Sequence, residues 1–155
     1  MQILEHQNIH LDNLISYTTK VKRSDILKLT QYISDNLHVL DLKKNDNIIF
    51  AEKEFINDET LNIEVLIPVK GKIQECKVYN YKPIFKLNNA LMIRHEGSID
   101  TISKTRTILY KFIEEHGFKP SSEPYYIVIR NDNFHIDDCI IDICIDIEWN
   151  TGHME

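Results

Sequence analysis

The chain has 155 residues, 43% hydrophobic and 27% charged, enough for one domain (1–155) that buries roughly 70% of its unfolded surface. Its net charge of −6 argues against a nucleic-acid partner, which would need a basic face for phosphate contacts. It suits a solvated cytoplasmic protein, or one that receives cations.

The predicted elements follow in chain order. An extended stretch, 9-IHLDNLISYTTKV-21, leads to a helix starting at Ser24, with Ile26, Leu29, Ile33, Leu37 and Leu40 at helical spacing. Ser24 is the expected cap, and Asp25 suits the positive end of the helix dipole. Two strands follow, 47-NIIFAEKEF-55 and 61-LNIEVLIPV-69, joined by the turn 56-INDET-60. After a solvated connector, 70-KGKIQE-75, the same order returns. A strand, 84-IFKLNNALMIRHE-96, precedes a helix over about 98–116. Gly117 and Pro120 mark the end of that helix. Strands at 125-YYIVIR-130 and 138-DCIIDICIDIEW-149 complete the pattern. Strand–helix–strand–strand occurring twice, over about 1–70 and 76–150, predicts an α+β fold: an antiparallel sheet with both helices on one side.

His95-Glu96-Gly97-Ser98 has the composition of a catalytic cluster but stands where a strand gives way to a helix. Ser98 is placed to cap that helix, Asp100 to meet its dipole, and Gly97 to make the turn. The cluster therefore reads as the start of a helix, with His95 and Glu96 left without a structural task.

In the last strand, period-two alternation puts Cys139, Ile141, Ile143, Ile145, Ile147 and Trp149 on one face, under the helices. The opposite face carries Asp138, Ile140, Asp142, Cys144, Asp146 and Glu148. In the first half, Leu61, Ile63, Val65, Ile67 and Val69 take the helix side and Glu64 the other. Glu64 and Asp142 thus occupy matching places. Two such carboxylates converging in a cleft between the halves would attract a cation or an amine; a water-facing sheet surface dotted with acids is the alternative. Tyr17, Tyr125 or Tyr126, and Phe50 lie on other predicted strands, where aromatic rings would serve a cationic ligand, although core or cross-strand packing is the commoner use of aromatics in strands.

Other chemistry is poorly supported. His6/His10 and His135/Cys139 are spaced i, i+4, with Asp137 and Asp138 nearby, but neither pair completes a tetrahedral set, so no metal is expected. No phosphate-binding glycine loop or nucleophile elbow occurs, and no cofactor is expected. Three cysteines, Cys76, Cys139 and Cys144, suit reduced thiols in the cytoplasm. No run of about 18 apolar residues predicts a membrane span. MQILEHQNIHLDN lacks the regions of a signal peptide.

Across 93-IRHEGSIDTISKTRTILYKFIEEHGF-118 and 140-IIDICIDI-147 the chain resembles the GyrI-like effector-binding domains, the ligand-sensing parts of bacterial multidrug-responsive transcription regulators. The resemblance implies the same repeated strand–helix–strand–strand fold over nearly the whole chain. It sets Asp142 at the place of a pocket glutamate, and Glu64, Pro68 and Val69 on the corresponding first-half motif. The departures are Asp146-Ile147 in place of Pro-Val, the shorter acid at Asp142, and Ile129 where a tyrosine often precedes Asn131-Asp132. It implies a standalone domain without a preceding helix-turn-helix, whose function is to bind a small organic ligand, cationic or an amine, without catalysis. The alternatives are a protein-interaction module with a degenerate pocket and, third, a small hydrolase.

Overall fold

The computed structural model describes residues 2–131 and 139–148. Seven strands form an antiparallel sheet: β1 (Ile3–Lys22), β2 (Lys43–Lys44), β3 (Ile49–Phe55), β4 (Thr60–Lys70), β5 (Asn80–Gly97), β6 (Tyr125–Asn131) and β7 (Cys139–Asp146). Two helices, α1 (Ile26–Asp35) and α2 (Ile102–Glu115), follow β1 and β5. The expected α+β order, strand–helix–strand–strand twice over, is present, with the two-residue β2 added at the sheet edge.

The strand order is β1-β5-β7-β6-β3-β4-β2, and β1 pairs with β4 as well. The ladder therefore closes: β1 bonds to β5 along its first part and to β4 along its second, both pairings overlapping at Leu14–Ser16. The hand-over lies beside Asn13, which adopts φ 61°, a conformation that asparagine tolerates better than branched residues. Its amide donates to the carbonyls of Val69 at 2.8 Å and Gly71 at 3.0 Å, tying the bend to the end of β4. The seam between β3 and β6 is short, with Ile49↔Ile127 and Phe50↔Tyr126 in register.

The main core lies between sheet and helices. Ile63, Val65 and Ile67 of β4, and Ile141, Ile143 and Ile145 of β7, pack there with Ile26, Leu27, Leu109 and Ile113 of the helices, as alternation predicts. The opposite face is not simply wetted. Leu14, Ile49, Leu66, Phe85, Leu87, Ala90 and Cys144 form a second apolar cluster on it.

The two helix starts differ. Ser98 Oγ accepts the Asp100 N–H at 3.1 Å, and Gly97 turns the chain at φ 116°, which a side chain would strain. α2 ends at Gly117, φ 68°, whose N–H donates to the Glu114 carbonyl at 3.2 Å. At α1 the expected Ser24 cap is not formed. The chain enters through a 3-10 turn, Arg23–Asp25, and neither that turn nor α1 has a side-chain cap. The pattern over Leu37 and Leu40 belongs to a separate 3-10 turn, because α1 stops at Asp35. Trp149, Asp132, His135, Asp137 and Asp138 lie outside the described residues.

Candidate functional site

The carboxylate built deepest into the helix side was not singled out by sequence. Glu52 follows Phe50 by two residues on β3, so alternation turns both toward the helices. Its side chain is only 7% exposed. Arg23, from the turn before α1, donates to Glu52 Oε2 at 2.8 Å, and Arg106 on α2 donates to Oε1 at 2.5 Å. The Tyr126 hydroxyl also donates to Oε1 and accepts from Arg106 at 2.8 Å. Behind it, Phe50 and Tyr126 stack with centroids 4.8 Å apart and planes 7° from parallel. Burial, and then the neighbouring Glu52 charge, push the Tyr126 phenol well above its ordinary range, so it holds its proton and donates it.

This cluster sits on the seam between the two halves. β3 and β6 part company beyond the Phe50–Tyr126 pair; there the arginines enter, one from the segment leading to each helix or from the helix itself. The arrangement is a desolvated acid backed by aromatic faces and occupied by two planar, delocalised cations. The two guanidinium groups compensate the carboxylate for its lost hydration. Sequence alternation already held the signal: Glu52 lies on the face that Phe50 makes apolar.

The predicted site residues divide between the two faces of the sheet. Phe50 and Tyr126, 1% and 0% exposed, belong to the Glu52 cluster. Glu64 and Asp142 face the other way. Their strands are separated by β3 and β6, about 14 Å along the sheet at roughly 4.8 Å per strand, and each has its own partner. Ser16 Oγ donates to Glu64 at 2.7 Å and Lys53 approaches it at 3.6 Å. Arg94 forms a fork on Asp142, at 2.9 and 3.1 Å, and the bonded carboxylate raises the Arg94 pKa. Glu64 and Asp142 thus each meet a cation of this chain, on strands that two others separate. Asp142 lines a cavity of about 520 Å³ with Gln2, Leu4, Met92, Arg94 and Glu96. Tyr17 lines a different cavity, beside α1.

His95 is buried and fully occupied. One ring nitrogen lies 2.7 Å from Thr105 Oγ1, the other 2.6 Å from the Ser98 carbonyl. The second must donate to that carbonyl; in the neutral ring the first then accepts from the threonine hydroxyl. His95 therefore pins the start of α2 to β5, a task the sequence did not disclose. Among the described residues, no group of three or more His, Cys, Asp or Glu side chains is arranged to hold a metal ion. No described helix is long and apolar enough to cross a membrane.

No family model and no curated protein matches the sequence. Solved structures do share the fold. An EcmrR–DNA complex aligns at TM-score 0.79 and 14% identity, over 96% of this chain and 58% of that one, so the chain spans little more than half of EcmrR's length. The EcmrR C-terminal domain alone aligns at 0.67 and 14%, over 97% and 100%. SAV2435 bound to tetraphenylphosphonium aligns at 0.57 and 12%, over 99% and 98%. A hydrolase from Listeria innocua aligns at 0.54 and 8%, over 92% and 91%. The chain shares the fold of these structures.

Proposed function

We propose that this protein is a non-catalytic small-molecule-binding domain whose ligand, an organic cation, takes Glu52 over from Arg23 and Arg106 at the seam between the two halves. The observation that carries this reading is the clamped carboxylate itself: a 7% exposed acid, backed by stacked Phe50 and Tyr126, already holding two guanidinium groups. An external cation would replace like with like. The two arginine side chains are about 20% exposed, and the ligand would supply apolar surface that they lack. Tetraphenylphosphonium in the SAV2435 structure supports the class, since that protein shares the fold. The non-catalytic part of the reading rests on His95, whose ring nitrogens are both committed to structural bonds.

The Asp142 cavity supports a second reading, because it has volume of ligand size. Titration calorimetry with tetraphenylphosphonium separates the two. Binding to the wild type should weaken by 10-fold or more in Glu52→Gln and stay within about 3-fold in Asp142→Asn, since losing one partner of a desolvated charge pair costs about 2–5 kcal/mol. Circular dichroism should first establish that both variants fold. Loss confined to Asp142→Asn would move the ligand to the opposite face. Equal binding in all three proteins would remove the carboxylate argument.

A further inference from the structure

The outer flank of α1 holds a cavity of about 470 Å³, remote in character from either acidic site. Its floor is Ile15 and Tyr17 of β1, one wall is α1 with the 3-10 turn after it, and the other is the connector segment at Cys76, Val78 and Tyr79. None of the described lining residues is Asp, Glu, Lys or Arg. Three of the lining side chains are tyrosines, Tyr17, Tyr32 and Tyr79, and the rim is unusually apolar for a surface. Val39 is 70% exposed, Tyr32 68% and Val78 63%.

We infer that this cavity is a second binding site, independent of Glu52, that takes a neutral, flat aromatic molecule. The volume falls in the range of small-molecule pockets. Among the described residues no Asp, Glu, Lys or Arg lines the cavity, so a neutral guest loses less hydration on entering than an ion that would find no counter-charge. The tyrosine rings offer broad faces for offset or edge contacts with an aromatic guest, and the Asn36 side chain is the polar amide of the wall. Three separate segments of the chain contribute the cavity's floor and walls.

Cys76 supplies a built-in reporter. It is exposed at the wall of this cavity, whereas Cys139 and Cys144 are buried, so a thiol reagent applied to the folded protein reads Cys76. The probe is N-phenyl-1-naphthylamine, neutral and fluorescent in apolar surroundings. The wild type should show saturable, one-to-one enhancement, and bound probe should slow modification of Cys76 by dithiobis(nitrobenzoate) at least 5-fold. Val39→Glu and Val78→Glu, both at exposed positions that leave the core intact, should each weaken probe binding 10-fold or more by placing a carboxylate at the mouth. Glu52→Gln should leave it unchanged, so the test stands apart from the cation reading. Probe binding unaffected by both glutamate variants would overturn the proposal. So would concentration-dependent dimerisation of the wild type that Val78→Glu abolishes, because the flank would then be a subunit interface.

Discussion

At the scale of single residues, the His95–Ser98 corner shows how a polar cluster can serve stability alone. Ser98 uses its hydroxyl to cap and its carbonyl to receive His95, and Thr105 closes the chain of bonds from within α2. Thr105 is 2% exposed and His95 3%, so a missing partner is not replaced by water. Thr105→Val should therefore destabilise the fold by about 1–3 kcal/mol, the cost of leaving a buried acceptor unsatisfied. Ser98→Ala should lose about 1 kcal/mol through the cap. Urea unfolding of both variants checks this, and an unchanged midpoint for Thr105→Val would show that His95 finds another partner. Neither substitution removes a side chain bonded to Glu52, so tetraphenylphosphonium affinity should be retained.

At the scale of elements, the two helices illustrate how alike sequence patterns acquire different ends. Ser24 and Ser98 each precede an apolar helical repeat, and both invite the same capping assignment. Only Ser98 makes the bond. Before α1 the chain first runs through a 3-10 turn at Arg23–Asp25, in which Arg23 reaches Glu52 and lies 5.7 Å over the Phe55 ring. The tertiary anchor stands in for a local cap. Ser24→Ala should accordingly shift stability by no more than about 0.5 kcal/mol, the usual range for an uncommitted surface position. A loss as large as that of Ser98→Ala in the same urea titration would mean that Ser24 caps after all. Arg23, by contrast, binds the helix start to the sheet through a nearly buried acid.

For the whole molecule, the closed ladder of strands leaves little interior for water, and two groups buried in it bind stability to pH. Burial, with Asp142 nearby, pushes the Cys144 thiol from 9.0 up to about 12, and the Tyr126 phenol is raised by burial and Glu52. Both are neutral when protonated, and folding holds the proton more tightly than the unfolded chain does. Their contribution is thus complete below the unfolded pKa and is lost as pH rises through the folded one. Urea midpoints should hold between pH 7 and 8, then fall steadily above about pH 9. Cys144→Ala should flatten part of that decline, at some cost in packing at neutral pH. A wild-type midpoint that stays level to pH 11 would show that these groups titrate alike in both states.

What the sequence determined by itself follows from periodicity, which needs no long-range information. Alternation placed Ile63, Val65, Ile141 and Ile143 under the helices, helical spacing located α1 and α2, and Gly97 and Gly117 marked chain reversals. The resemblance to GyrI-like domains added the fold that the solved structures share. Partnership was not legible, because strand order cannot be read from a single strand. Glu64 and Asp142 look equivalent along the chain, yet two intervening strands hold them apart and give each a separate cation. Glu52 looks like one more surface acid in 47-NIIFAEKEF-55 until Arg23, Arg106 and Tyr126 arrive from three distant segments. Which carboxylates lose their water, Glu52 at 7% and Asp142 at 6% side-chain exposure, depends on what the closing sheet and the two helices bring over them. Only the tertiary structure decided that.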